Sequence, residues 1–130
     1  MKADPSYSDY IKKWSSSYDQ LNYQNSLAGK MIRASHALLE KEYTIKDHFP
    51  RVLEVGAGTG QHLAHVKHRF DEYTISDQQG EMLTIAKSNN AHYSNPGKLI
   101  YSIQDAAKLD FPDCQFDRLI ATHVLEHMPF

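Results

Sequence analysis

The sequence predicts an α/β fold, a doubly wound parallel sheet preceded by a helical extension. Three observations point there. A glycine-rich turn follows a short β-rich run, β-rich runs alternate with helix-patterned segments from Arg51 onward, and the stretch before Arg51 carries helical spacing without a strand pattern.

Up to about Phe49 the pattern is helical, which defines an amino-terminal cap over residues 1–49. Ser8 or Asp9 can cap a helix through Ile11, Trp14 and Tyr18. Ser26 is a good N-cap for a second helix carrying Leu27, Met31, Ala34, Leu38 and Leu39 on a helical stripe. Thr44 to Pro50 reads as the loop that ends it. The second region, residues 50–130, opens with the strand Val52-Leu53-Glu54-Val55, which stops at Gly56. Gln61 to Arg69 reads as a helix with Leu63, Val66 and Phe70 on one side. Tyr73 to Ser76 is a second strand ending at Asp77, and Glu81 to Ser88 a second helix of this region, stopped by Asn89-Asn90. Leu99 to Ile103 is a third strand, ending near Asp105, and Phe116 to Ala121 a fourth. Strand–helix–strand units have right-handed crossovers and hence parallel strands. In such sheets ligands bind outside the carboxyl ends of the strands, near the switch in strand order.

Composition bounds the function. The chain has 130 residues, 41% hydrophobic and 23% charged, ordinary values for a globular domain. A formal charge of −2, with acidic and basic residues mixed, lacks the basic patch of a nucleic-acid binder. No stretch approaches the roughly 18 apolar residues that span a bilayer, and the start lacks a signal-peptide core. The single cysteine, Cys114, excludes an internal disulfide framework. A cytoplasmic protein is the expectation.

The strongest signal is the run Val52 to Gly60, with Gly56, Gly58 and Gly60. Glycine lets a chain turn sharply and lets a ligand approach the backbone, because no Cβ intrudes. The plain alternative is a tight turn with nothing bound. A dinucleotide fingerprint would place its last glycine at position 61, which is Gln61; the third glycine arrives one residue early. Gln61-His62 also occupies the places where a phosphate-binding loop has its lysine and hydroxyl residue. Both details disfavour a pyrophosphate ligand. Asp77, 17 residues beyond Gly60 at a strand end, can accept both hydrogen bonds of a ribose diol. Alone, it would read as an ordinary loop aspartate.

Val52 to Gly60 resembles the first motif of class I S-adenosylmethionine-dependent methyltransferases, of the small-molecule type. Asp77-Gln78-Gln79-Gly80-Glu81-Met82-Leu83 is similar to the second motif. Gln104 to Asp113 resembles the segment after the third strand, and Phe116-Asp117 through Val124 to Pro129 the fourth-strand motif. The likeness covers Arg51 to Pro129 in the family's order. It implies a Rossmann-like sheet of order 3-2-1-4 and an S-adenosylmethionine-binding domain over residues 50–130. By the same resemblance Gly56 and Gly58 line the methionine part of the cofactor in the turn closed by Gly60, Glu54 supports that turn, and Asp77 holds the ribose hydroxyls. Gln78 and Met82 border the adenine, Met82 as a polarizable wall. Asp105 and the Ala106 backbone read the ring edge, and Thr122 and His123 sit near the sulfonium.

Two departures stand out. Gln79 and Gly80 replace more usual helix starters, and only four of the family's seven strands can be counted. A truncated chain, or a partner chain that completes the sheet, is therefore expected, since an open sheet edge is normally covered.

Weaker candidates remain. Tyr7, Tyr10, Trp14, Tyr18 and Tyr23 crowd the amino-terminal region. In the resembled family this region often closes over the cofactor, and Tyr18 is the best single candidate there; an amphipathic helix packed on the domain is the alternative. His62, His65 and His68 recur at a spacing of three and read as a solvated helix face rather than a metal site. Glu126-His127 reads as structural, no catalytic base is assigned, and Cys114 has no activating partner. The implied reaction is methyl transfer to a small-molecule acceptor, leaving S-adenosylhomocysteine. The alternatives are a cofactor-binding but catalytically silent accessory module and an NAD-dependent oxidoreductase.

Overall fold

The computed structural model describes residues 27–122. In chain order these hold helix α1 (Leu27–Glu40), strand β1 (Arg51–Val55), a 3₁₀ turn (His62–His65), β2 (Glu72–Asp77), α2 (Gly80–Asn89), β3 (Lys98–Ile103) and β4 (Arg118–Ala121). The strands form one sheet in the order β3-β2-β1-β4, with every pairing parallel. This is the Rossmann-like arrangement expected. The reversal between β1, which continues outward to β2 and β3, and β4 on its other side marks the switch point. The helix expected near Ser8 and the Ser26 cap lie outside the described residues.

The central strands β1 and β2 are the apolar ones. From Val52 to Val55 and from Tyr73 to Ser76 every residue is buried, as a strand covered on both faces requires. Register sorts the faces. Val52 lies beside Tyr73 and Arg118, and Glu54 beside Ile75 and Ile120. Because side chains alternate along a strand, these residues share one face. Leu63, Val66, Phe70, Leu83 and Ala86 cover that face and complete the core. Phe70 extends the core sideways through Tyr73, ring centroids 5.2 Å apart, and stacks on Tyr93 at 6.3 Å.

Two elements differ from expectation. Only His62–His65 coils between Gln61 and Arg69, and Val66 is already extended. The reason lies in Arg69, whose amide donates to Asp47 O (2.8 Å) and whose carbonyl accepts from the Phe49 amide (3.0 Å). These bridges pull residues 68–70 straight, so the segment has no length left for a second helical turn. Leu63, Val66 and Phe70 are nonetheless buried together. The fourth strand begins at Arg118 rather than Phe116. Asp117 instead closes the ladder, its amide donating to Arg51 O (2.8 Å) and its carboxylate accepting from the Arg51 amide (2.9 Å). Among the described residues β4 pairs with β1 alone, and no helix is long and apolar enough to cross a membrane.

Candidate cofactor-binding site

Every strand delivers its chemistry at its carboxyl end. β1 runs into Gly56, Gly58 and Gly60, which adopt φ of 63°, 58° and 78°, the left-handed region that side chains other than glycine rarely enter. The turn is held from three sides. The Ala57 amide donates to Ser76 O (2.9 Å), the Gly60 amide to Ala57 O (3.0 Å), and the Gly58 amide to Asp77 Oδ2 (2.9 Å). Asn89 Nδ2 donates to Thr59 O (3.0 Å) and Asn90 Nδ2 to Gly60 O (3.3 Å), so the end of α2 grips the carbonyls of the turn.

Gly58 and Gly60 serve different ends. A Cβ on Gly58 would meet nothing within 4 Å, so this backbone faces open space. A Cβ on Gly60 would come within 2.7 Å of Asn90 Nδ2 and 2.9 Å of the Ala86 methyl. One glycine leaves room, and the other permits close packing of turn against helix.

Asp77, half-buried at the tip of β2, is the only charged side chain bonded to the turn among the described residues. Its second oxygen, Oδ1, accepts from the Gln79 amide at 2.9 Å. Each carboxylate oxygen carries two lone pairs, so both retain one for a further donor. The Asp77 carbonyl accepts from the Gln104 amide (3.0 Å), which carries the same row to the tip of β3. There Asp105 is exposed, with its Oδ1 accepting from the Ala107 amide (2.9 Å), and Ala106 is half-buried. Gln78 is exposed beside Asp77, Met82 is buried in the first turn of α2, and Thr122 is buried just past β4. Gly56, Gly58, Gly60, Asp77, Gln78, Met82, Asp105, Ala106 and Thr122 thus all lie at one end of the sheet. Tyr18 and His123 lie outside the described residues.

Glu54 sits apart from that row. Its side chain is 1% exposed within the core face, where Oε2 accepts the Tyr73 hydroxyl (2.8 Å). Burial pushes its carboxyl up to about 7, partly opposed by the charge of His62 and the Tyr73 hydrogen bond. Ser76 Oγ donates to the Glu54 carbonyl (2.7 Å), so this residue fixes the strand just before the turn.

The histidines correct an expectation. His62 and His68 are 1% and 0% exposed, not members of a solvated helix face. His62 Nε2 meets Glu40 Oε1 (2.9 Å) and its Nδ1 meets His36 Nδ1 (2.9 Å), while Arg118 reaches both Glu40 Oε1 (2.8 Å) and His68 Nε2 (2.7 Å). Burial alone would raise the Glu40 carboxyl, but hydrogen bonds from His62 and Arg118 and their charges hold it below its ordinary value. The Arg118 guanidinium lies over the Tyr43 ring, 4.3 Å from its centroid. Sequence offered no signal for this cluster. Asn89 and Asn90 had a signal, a helix stop, that concealed their second role. Cys114 is exposed and free, in a loop with φ of 59°.

Residues 52–130 match the family described as methyltransferase domain. Demethylmenaquinone methyltransferases of two Leptospira interrogans strains are 30% identical over 110 residues, covering 82% of this chain and 44% of theirs. The chain therefore spans less than half the length of these curated relatives. Among solved structures, DhpI in complex with SAH superposes with a TM-score of 0.61 at 27% identity, covering 95% of this chain and 55% of that one. The [4+2]-cyclase SpnF superposes at 0.54 with 26% identity, covering 74% and 35% respectively.

Proposed function

Since the chain belongs to the methyltransferase domain family, we propose that it binds S-adenosylmethionine across the turn from Gly56 to Gly60 and serves methyl transfer to a small-molecule acceptor. The observation that carries this reading is the 2.9 Å bond from the Gly58 amide to Asp77 Oδ2, which joins an open glycine turn to an acceptor-rich carboxylate.

The residues present fit that cofactor. The open space at Gly58 admits a ligand against bare backbone, and the spare lone pairs of Asp77 match a ribose diol. Next along the row, Gln78 and Met82 would flank the adenine, with Asp105 and the Ala106 backbone at its edge. Gly56 and Gly60 would complete the cradle around the methionine part, and Glu54 would act from below by fixing the end of β1. Thr122, one strand away, would border the acceptor, with His123 and Tyr18 as further contributors.

When bound, S-adenosylmethionine supplies an electrophilic methyl group on a sulfonium. The chain's own contribution is to hold donor and acceptor in line at near-attack distance, because orienting two reactants in advance lowers the barrier of their reaction. The demethylmenaquinone methyltransferase relatives favour a small, non-polymeric acceptor. The domain division at residue 49 is part of the proposal, with residues 1–49 as a helical cap on the binding domain.

A second reading has one observation in its favour. A protein of 26% identity and the same fold is a [4+2]-cyclase, so this architecture does not by itself dictate methyl transfer. A cofactor-binding, catalytically silent module is that second reading. Incubating the chain with a radiolabelled methyl donor and cell extract separates the two. Label recovered in a small-molecule fraction is the expected result; S-adenosylmethionine binding with no label transferred to any fraction would favour the silent module. NADH binding tighter than S-adenosylmethionine would replace both.

A further inference from the structure

The attachment of α1 to the rest of the molecule is chemically inverted. Its apolar residues Leu27, Met31, Leu38 and Leu39 are exposed and Ile32 is half-buried, whereas among its described side chains the buried ones are His36 and Glu40. The helix is therefore fastened by titratable groups instead of by a hydrophobic stripe.

We propose that the contact between His36 Nδ1 and His62 Nδ1 is an acid-sensitive latch, which holds α1 against the segment following the glycine turn and opens when both imidazoles are protonated. Glu40 Oε1 accepts from Arg118 and faces His62 Nε2 at 2.9 Å, so His62 Nε2 carries a hydrogen. The 2.9 Å contact between the two Nδ1 atoms then needs one hydrogen, supplied by either ring. The pair satisfies it when both rings are neutral and when one is charged. With both charged, each Nδ1 bears a hydrogen, two donors face each other, and the bond cannot exist.

The neighbouring imidazoles of His65 and His68 disfavour protonation of their own rings. His65 stacks on His36 at 5.7 Å, and burial followed by the charge of His62 lowers its affinity for a proton. His68 donates from Nδ1 to Arg69 O (3.0 Å) and must accept at Nε2 from Arg118, so it is locked neutral. Burial is the largest cause of its lowered value; the Arg118 charge adds to the lowering, while the Arg69 hydrogen bond and the charges of Glu40 and Asp47 oppose it. Glu40 is the favourable charge, Glu54 lies within electrostatic reach from β1, and the Tyr73 hydroxyl is committed to Glu54. Histidines held neutral stabilise the closed form above their ordinary value of roughly 6.5, and that stabilisation is lost as pH falls below it. Glu54 changes in the opposite sense, so the latch must be read locally at α1 and not from global stability.

Because His62 lies two residues beyond Gly60, opening also loosens the glycine turn; that consequence rests on the proposed cofactor reading. The test is hydrogen exchange of the α1 amides in the full chain at pH 7.5 and 5.5, expressed as protection factors. At pH 5.5, about one unit below the ordinary imidazole value, a closed form that has no place for one proton predicts a loss on the order of tenfold. In His36→Gln the amide can present its N–H to neutral His62 Nδ1 or, turned over, its oxygen to protonated His62 Nδ1–H, so no protonation state breaks the contact and the loss should shrink to less than about threefold. Unchanged α1 protection in the native chain, or a loss in His36→Gln as large as in the native chain, overturns the latch. Nitrogen-15 spectra of the native histidines read it without a variant. One Nδ1 protonated and its partner accepting at pH 7.5, with that pattern lost as α1 opens, is expected; the pattern persisting at pH 5.5 while α1 is open overturns it. Calorimetry with S-adenosylhomocysteine at pH 7.5 tests the cofactor reading separately, since loss of α1 protection in a chain that binds none leaves the latch standing and removes the cofactor.

Discussion

Tyr73 donates its hydroxyl hydrogen to Glu54 Oε2 across 2.8 Å, and both side chains are sealed from solvent at 0% and 1% exposure. The other oxygen, Glu54 Oε1, has no partner among the described residues. With the carboxyl raised from 4.5 to about 7, the folded state favours protonated Glu54. Its stabilising contribution is full below pH 4.5 and is lost as pH rises through about 7. Glu54→Gln, which mimics the protonated form and can still accept from Tyr73, should therefore stabilise the protein above pH 7 by at most about 3 kcal/mol. Chemical denaturation at pH 8 and pH 5 should show the advantage at pH 8 shrinking at pH 5. An equal difference at both values would mean that Glu54 is not held protonated.

The two glycines of the turn should fail differently. Gly60→Ala places a methyl against Asn90 and Ala86 as well as straining the backbone, so denaturation should show a large loss of stability. Gly58→Ala meets no neighbour and carries only the left-handed strain of about 1–2 kcal/mol. Its added methyl occupies the open space, so it should weaken S-adenosylmethionine binding at least tenfold while the protein still folds. Equal stability losses would show that the packing difference between the two positions is irrelevant.

Asn90→Ala removes the donor that Gly60 O and Ala86 O share. The expected cost is about 1 kcal/mol in thermal or chemical denaturation. Cofactor affinity should fall with it, because the same side chain fixes the turn.

Arg118→Ala leaves the Glu40 carboxylate, 2% exposed, without its cation. Removing one partner of a buried pair costs about 3–5 kcal/mol, and pairing it with Glu40→Gln should recover much of that loss. A double variant as unstable as Arg118→Ala would mean that lost packing of Arg118 on Tyr43, not the stranded charge, is responsible.

Much of the fold was legible because its elements announce themselves locally. β1 and β2 are aliphatic and β-branched runs that stop at a glycine or an aspartate, and α2 has helical spacing and an Asn-Asn stop. The segment from Gln61 to Arg69 misled because Leu63, Val66 and Phe70 have helical spacing, yet a short irregular segment tied down at Arg69 buries the same three residues. The glycine turn and Asp77 were legible as a motif, since their chemistry follows from residue type at strand ends. The polar cluster was not. Its contacts join residues separated by 22, 26 and 78 positions, and no periodicity links Glu40, His36 and Arg118 to His62. Buried polar groups of this kind are specified by tertiary packing alone.

The proposed function requires that the glycine turn and Asp77 together grip an adenosyl sulfonium. Titration calorimetry of S-adenosylmethionine into the folded chain and into Asp77→Ala tests it most directly. Saturable binding that weakens roughly ten- to a hundredfold in Asp77→Ala is the predicted result. No heat of binding in the native chain, or equal affinity in the two proteins, would contradict it.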